Sequence, residues 1–189
     1  MSGTITVQNI QGPTTGSNAN QVLVPSGHTL HAPGHIVQVQ EFQGYNGDGI
    51  HSNFSVSSTT YGATPIAITI TPKFSTSKIL VTMHAQGFYQ QGVVANAVKI
   101  ALYRSVGGGA FAAVPGLPSG QVSRHIGYMN SSSATTLHAS SFQHLDSPAT
   151  TSAVIYKIYL ARLNSSSGYG RILANGDDSF SISAMELAQ

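Results

Sequence analysis

Histidine is the over-used ionisable residue of this chain, with eight copies against six Asp and Glu combined. His28, His31 and His35 stand at i, i+3 and i+7. A helix would align them, but Pro33 and two neighbouring glycines work against one. Two chemistries stay open. One histidine near a three-fold axis supplies three imidazoles, a set that holds a metal or an anion. The commoner role is hydrogen bonding by polar linker histidines. His138 and His144, six apart, fall on one face of a regular strand, again as a metal pair or as hydrogen-bonding groups. His84 and His125 are isolated.

Two loops hold small acidic and amide residues. Gly44-Tyr45-Asn46-Gly47-Asp48-Gly49 has the composition of a cation loop but lacks the D-x-[DN]-x-[DN]-G order and the distal Glu. Asn175-Gly176-Asp177-Asp178 has adjacent acids that a tight hairpin turn explains equally well. Gly168-Tyr169-Gly170 lacks the strand–turn–helix setting of a phosphate cradle.

Hydrolytic chemistry is not indicated. Gly116-Leu117-Pro118-Ser119-Gly120 misplaces its serine relative to a nucleophile elbow. Glycoside cleavage needs two placed carboxylates, and only six acids exist. Without cysteine there is no thiol nucleophile, thiolate zinc site or disulfide framework. No catalytic residue, metal site or cofactor is therefore assigned. Glycan contact is the remaining site chemistry, because sugar sites pair aromatic faces with amides, acids and guanidinium groups. Loop residues of those types are Tyr45, Asn46 and Asp48; Arg124, His125 and Tyr128; Tyr169 and Arg171; and Tyr89 with Gln90 and Gln91. The ordinary alternative is tyrosines half-buried at strand ends with the hydroxyl in water.

The elements that must position these residues are strands. Alternation or β-branched enrichment marks residues 36–42, 54–61, 66–71, 78–89, 97–104, 110–114, 134–145, 152–163 and 179–187. Gly87 marks a bulge or bend in the fourth. The glycine cluster at 107–109 makes a hairpin of the fifth and sixth. Residues 152–163 carry weight on both faces and belong in a sheet centre. No segment shows a capped 3.6-residue apolar period. The expected fold is all-β: an antiparallel β-sandwich, jelly-roll-like, over 36–189. Residues 1–35, with strand pieces at 4–10 and 21–25, read as an extended N-terminal arm that lies on a neighbouring subunit or partner.

Of 189 residues, 7% are charged, against roughly 25% in an ordinary soluble domain. Eight scattered Lys and Arg give no phosphate-binding patch, so nucleic acid is excluded as a partner. No apolar run reaches the roughly 18 residues of a membrane span. The opening residues lack the basic and apolar regions of a secretory signal. Large subunit interfaces are one explanation for a polar surface with so little charge, since charged residues are depleted from interface cores.

Four phrases resemble one family. They are 54–61 followed by Ile68-Thr69-Ile70-Thr71-Pro72; Thr76-Ser77-Lys78-Ile79-Leu80-Val81; Leu145-Asp146-Ser147-Pro148 running on to Tyr156-Lys157-Ile158; and Ser179-Phe180-Ser181-Ile182-Ser183-Ala184-Met185-Glu186-Leu187. Together with the opening Gly3-Thr4-Ile5-Thr6-Val7, they resemble virion structural proteins of tailed bacteriophages, especially marine and cyanobacterial phages. The likeness covers about residues 36–189. It implies a non-enzymatic virion protein, a homotrimeric tail-fibre or baseplate appendage docked through its arm to other virion proteins and facing a host-surface glycan. A capsid decoration or head-fibre protein and a carbohydrate-binding module are the alternatives. Read physically, Asp146 starts an Asx-type turn, and Glu186 pairs with one of the few basic residues.

Overall fold

The computed structural model describes residues 12, 14–17, 24–26, 28–30, 32–48, 53–91, 96–129, 135–164 and 169–189. The chain divides into two units, Met1–His31 and Ala32–Gln189. In the first, the described residues include a turn in which the His28 amide donates to the Pro25 carbonyl (3.1 Å). The strand expected at 4–10, most of that at 21–25, and His31 lie outside the described residues.

The second unit is built of strands: β1 (Ile36–Tyr45), β2 (Phe54–Val56), β3 (Gly62–Ile70), β4 (Lys78–Gln91), β5 (Asn96–Val106), β6 (Ala112–Ala113), β7 (Gln121–Met129), β8 (Thr135–Asp146), β9 (Val154–Arg162), β10 (Tyr169–Ile172) and β11 (Ser179–Leu187). A single 3-10 turn, Pro118–Gly120, precedes β7. Among the described residues no helix is long and apolar enough to cross a membrane. β11 shows why these segments extend. Phe180, Ile182, Ala184 and Glu186 are buried, while the residues between them are half-buried, the two-residue period of a strand with one face on a core.

All pairings are antiparallel. One sheet runs β1-β11-β4, with β8 on the other side of β4; past the end of β11, β10 pairs with the last residues of β4 and carries β2 on its far side; the second sheet runs β3-β9-β5, with β7 and β6 on β5. Without the short β2, β6 and β10, eight long strands form two four-stranded sheets, β1-β11-β4-β8 and β3-β9-β5-β7. Counted one to eight, that order is 1-8-3-6 over 2-7-4-5, the winding of a jelly roll. The expected sandwich is therefore observed, and β9 is central as its two-faced apolar pattern requires. Ile66, Ile79, Ile100, Ile158, Leu160 and Ile182 interleave between the sheets, each fully buried.

Gly87 is a bulge. Pairing passes from Ala85↔Ser140 to Phe88↔His138, so two β4 residues oppose one on β8. Gly87 sits at φ +67°, and a Cβ there would overlap the Asp178 carboxylate and the Ala174 amide. Gly87→Ala is expected to cost about 3 kcal/mol from left-handed strain and overpacking together. A lowered urea midpoint at unchanged slope checks this.

Several expectations need correction. Residues 57–61 are not strand; the Thr60 amide donates to Ser58 Oγ (3.0 Å) in a local turn. β7 and β10 were not anticipated. The 175–178 segment is a tight turn, with the Asp178 amide donating to the Asn175 carbonyl. It is not a hairpin, because β10 and β11 pair with β4 and not with each other. Asp146 makes no Asx turn, because its carboxylate is committed elsewhere, as described below.

Candidate interaction surfaces

The register of β1, β11, β4 and β8 sets out the outward face of their sheet in rows. Val39 opposes Met185, Met185 opposes Leu80, and Leu80 opposes Leu145. These four apolar side chains cross the whole sheet. Val39 and Leu145 at its edges are 51% and 47% exposed. Ile36, opposite Leu187, extends the stripe. The next row, Glu41-Ser183-Thr82-Gln143, and the one after it, Gln43-Ser181-His84-Ser141, are polar. Thr82 and Ser183 share a hydroxyl hydrogen bond of 2.7 Å, and His84 Nδ1 lies 2.8 Å from Ser141 Oγ. Shallow cups of about 460 and 420 Å³ flank His84, the first beside Ser141 and Gln143, the second beside Gln43 and Tyr45.

The glycan-loop residues divide. Tyr45 is exposed and borders the second cup. Asn46 is a staple: its side-chain amide donates to the Leu173 and Asn175 carbonyls (3.0 and 2.9 Å). Asp48 accepts from the Tyr45 amide (3.3 Å) and so shapes the same turn. Arg171 lies 4.3 Å over the Tyr169 ring and donates from Nε to Ser55 Oγ (2.9 Å). Tyr45 is opposite Ser179 on β11, whereas Tyr169 is opposite Gln91 at the far end of β4, so the register does not bring the two loops together. Arg124, His125 and Tyr128 are on β7, and Tyr89, Gln90 and Gln91 on β4; their side chains lie outside the described residues. Among the described residues no group of three His, Asp or Glu could hold a metal. The His35 backbone carbonyl accepts the Ala188 amide (2.9 Å).

The two buried acids are cross-links. Asp146, at the end of β8, takes both oxygens to Arg104 Nη1 of β5 and accepts from the Tyr156 hydroxyl of β9 (2.7 Å). It thereby ties the two sheets together. Burial, the Asp146 charge and this hydrogen bond push the Tyr156 hydroxyl far above its ordinary range, against Arg104. Among the described residues, Glu186 pairs with no basic side chain. Its carboxylate accepts from Gln38 Nε2 (2.6 Å), the Lys73 amide (2.8 and 3.0 Å) and the Phe74 amide (3.1 Å). Burial works to raise its pKa; hydrogen bonds from Gln38 and from the Lys73 and Phe74 backbone outweigh it and hold it below the usual carboxylate value. No carboxylate hydrogen-bonds His84 among the described residues, so the His84–Ser141 pair lacks the orienting third group of a nucleophilic triad.

A different set of side chains covers the outward face of the second sheet. Tyr103 and Tyr159 stack at 4.1 Å between centroids, with Tyr61 beside Tyr103 and Phe111 beside Tyr159, both at 6.3 Å. The Lys99 ammonium lies 5.1 Å from the Tyr61 ring centroid, and the Lys157 ammonium 5.1 Å from that of Phe111. All six are half-buried. The sequence reading missed this array. Its available signal was the same-face spacing of Lys99 with Tyr103 and of Lys157 with Tyr159 on strands already identified.

No protein-family profile and no curated protein sequence matches the chain. Among solved structures, the chain is similar to the infectious bursal disease virus VP2 subviral particle, at 12% identity and a TM-score of 0.43, over 93% of this chain and 49% of that one. It is also similar to T=1 particles derived from the same virus, at 11% identity and 0.41, over 95% and 41%. The Gx strain of that virus gives 11% and 0.40, over 94% and 45%. The chain thus spans half or less of the length of these proteins. At TM-scores under 0.5 the likeness adds nothing to the topology traced above.

Proposed function

We propose that this chain is a non-enzymatic virion structural protein of a tailed bacteriophage: a homotrimeric tail-fibre or baseplate appendage subunit, docked through residues 1–35 and presenting its sandwich to the host surface. The observation that carries the self-assembling part is the apolar row Val39-Met185-Leu80-Leu145, which crosses a sheet of a chain with 7% charge. A contiguous exposed apolar stripe rimmed by polar residues marks an association surface. The edges of the same sheet agree. β8 has no Lys, Arg or Pro, and β1 carries Glu41 as its one charge and a register shift only at its start, so both edges are lightly guarded against pairing with another chain. β3, at an edge of the other sheet, has Pro65. The virion assignment rests on the sequence phrases quoted above.

A second reading, a capsid decoration or head-fibre protein, is favoured by the jelly-roll winding, an architecture used by capsid and lectin domains. Antibody labelling of intact particles separates the two. Label on the tail is expected; label over the capsid supports the second reading, and an unlabelled particle overturns both. The row itself is testable: Val39→Glu with Leu145→Glu is expected to weaken self-association at least about a hundredfold while leaving the fold intact, because two charges are forced into a desolvated contact. Sedimentation equilibrium alongside circular dichroism checks it.

A further inference from the structure

The few charges of this chain are segregated by sheet. All six acids belong to the β1-β11-β4-β8 side: Glu41 on β1, Asp48 in the loop after it, Asp146 on β8, Asp177 and Asp178 before β11, and Glu186 on β11. The strands of the other sheet carry Lys99, Arg104, Arg124, Lys157 and Arg162, and no acid. Arg104 is taken by Asp146, and Arg162 is buried. The Arg124 side chain lies outside the described residues; Lys99 and Lys157 lie on the outward face. Tyr103 opposes Lys157, and Tyr159 opposes Ala101, which places both cations in register with the ring array. Ala101 and Ala161 share this face by alternation and are fully buried, so the rings lie over a floor of small side chains.

We infer that the outward face of the β3-β9-β5-β7 sheet binds an acidic saccharide, one bearing carboxylate or sulfate groups, across the Tyr61-Tyr103-Tyr159-Phe111 array with Lys99 and Lys157 as its anion contacts. Aromatic rings take the C–H face or edge of a pyranose, while tyrosine hydroxyls reach its oxygens. Ammonium groups already held near rings lose little freedom when they meet an anion. The Lys99 ammonium also donates to the Thr59 carbonyl (3.3 Å), which fixes its position further. The strands of this sheet contain no Asp or Glu that would repel such a ligand. Two cations fall well short of the basic cluster that a nucleic-acid backbone needs. The inference deepens the host-contact part of the proposed function and rests on it. It places that contact on the face opposite the apolar row.

The test is an array of uronate-, sialate- and sulfate-bearing oligosaccharides with their neutral counterparts, probed with the full chain, with Lys99→Gln/Lys157→Gln and with Tyr159→Ala. The expected result is binding to acidic members that falls with ionic strength, drops about a hundredfold in the double lysine variant, and drops in Tyr159→Ala. Each variant should keep the wild-type mass in solution. Binding to neutral members alone, or acidic binding unchanged in the lysine variant, overturns this site but leaves adhesion standing. No binding to any member overturns the site and the adhesive reading together, while the assembly measurements are untouched. A lysine variant that changes oligomeric state identifies this face as a contact between copies and overturns the site.

Discussion

Asp146→Ala is expected to lower the unfolding free energy by about 3–4 kcal/mol, enough to leave a marginal domain substantially unfolded. Asp146 is buried, with 2% of its side chain exposed, and among the described residues it is the acid that pairs with the Arg104 guanidinium at the sheet junction. Removing it leaves a cation with no counter-charge and strips the Tyr156 hydroxyl of its acceptor. Breaking such a pair from one side costs about 3–5 kcal/mol, chiefly as the penalty of the stranded charge. Arg104 keeps 19% of its side chain exposed, which relieves part of that penalty and sets the expectation in the lower half of the range. Tyr156→Phe removes one hydrogen bond without stranding a charge and should cost about 1–1.5 kcal/mol. Urea unfolding of both variants reads the difference. An Asp146→Ala midpoint within error of wild type would mean that the junction is held by apolar packing alone.

Glu186→Gln is the second large effect, at about 2–3 kcal/mol. One carboxylate closes β11 onto Gln38 of β1 and onto the backbone of Lys73 and Phe74 between β3 and β4. Glutamine keeps one acceptor oxygen and sets an NH2 group among donors, leaving at least one donor unmatched. The pH dependence has a definite sign. The folded carboxyl titrates below its ordinary value of 4.5, so the unfolded chain binds more protons in the window beneath it and stability rises with pH there. The contribution is full above about pH 4.5 and is lost as pH falls through the folded pKa. Thermal midpoints of wild type and Glu186→Gln should therefore be well separated at pH 7 and converge as pH falls from about 4.5 through the folded pKa. Curves that stay parallel throughout the acid range would show that the carboxylate charge is not what holds the junction.

Both acids sit in phrases that were legible in the sequence, yet their roles were not. Alternation along β11 placed Glu186 on the buried side with Phe180, Ile182 and Ala184, but its partners come from segments more than a hundred positions away. Asp146 was read as a turn former because Ser147 and Pro148 follow it; its partner Arg104 lies on the other sheet. Long-range pairing of this kind leaves no local pattern. Strands with strong alternation or two apolar faces, such as β9 and β11, were readable. β7 was not, because Ser123, Arg124, His125 and Gly127 break its apolar rhythm. Residues 57–61 misled in the other direction, since serine and threonine suit both strands and hydroxyl-capped turns. Tyr45 was legible as an exposed aromatic beside a glycine loop. The ring array was not, because Tyr61, Tyr103, Phe111 and Tyr159 come from four separate segments that only the sheet register aligns.

On the proposed assembly, the scarcity of charge and the apolar row have one origin: surface that a solitary domain would guard is left to be covered by sister subunits. Analytical ultracentrifugation of the purified full chain at micromolar concentration tests this most directly. The account predicts a trimer that persists on dilution and salt addition, and that falls to monomers when Val39 and Leu145 are both replaced by glutamate. A wild-type chain that sediments as a stable, folded monomer would contradict it.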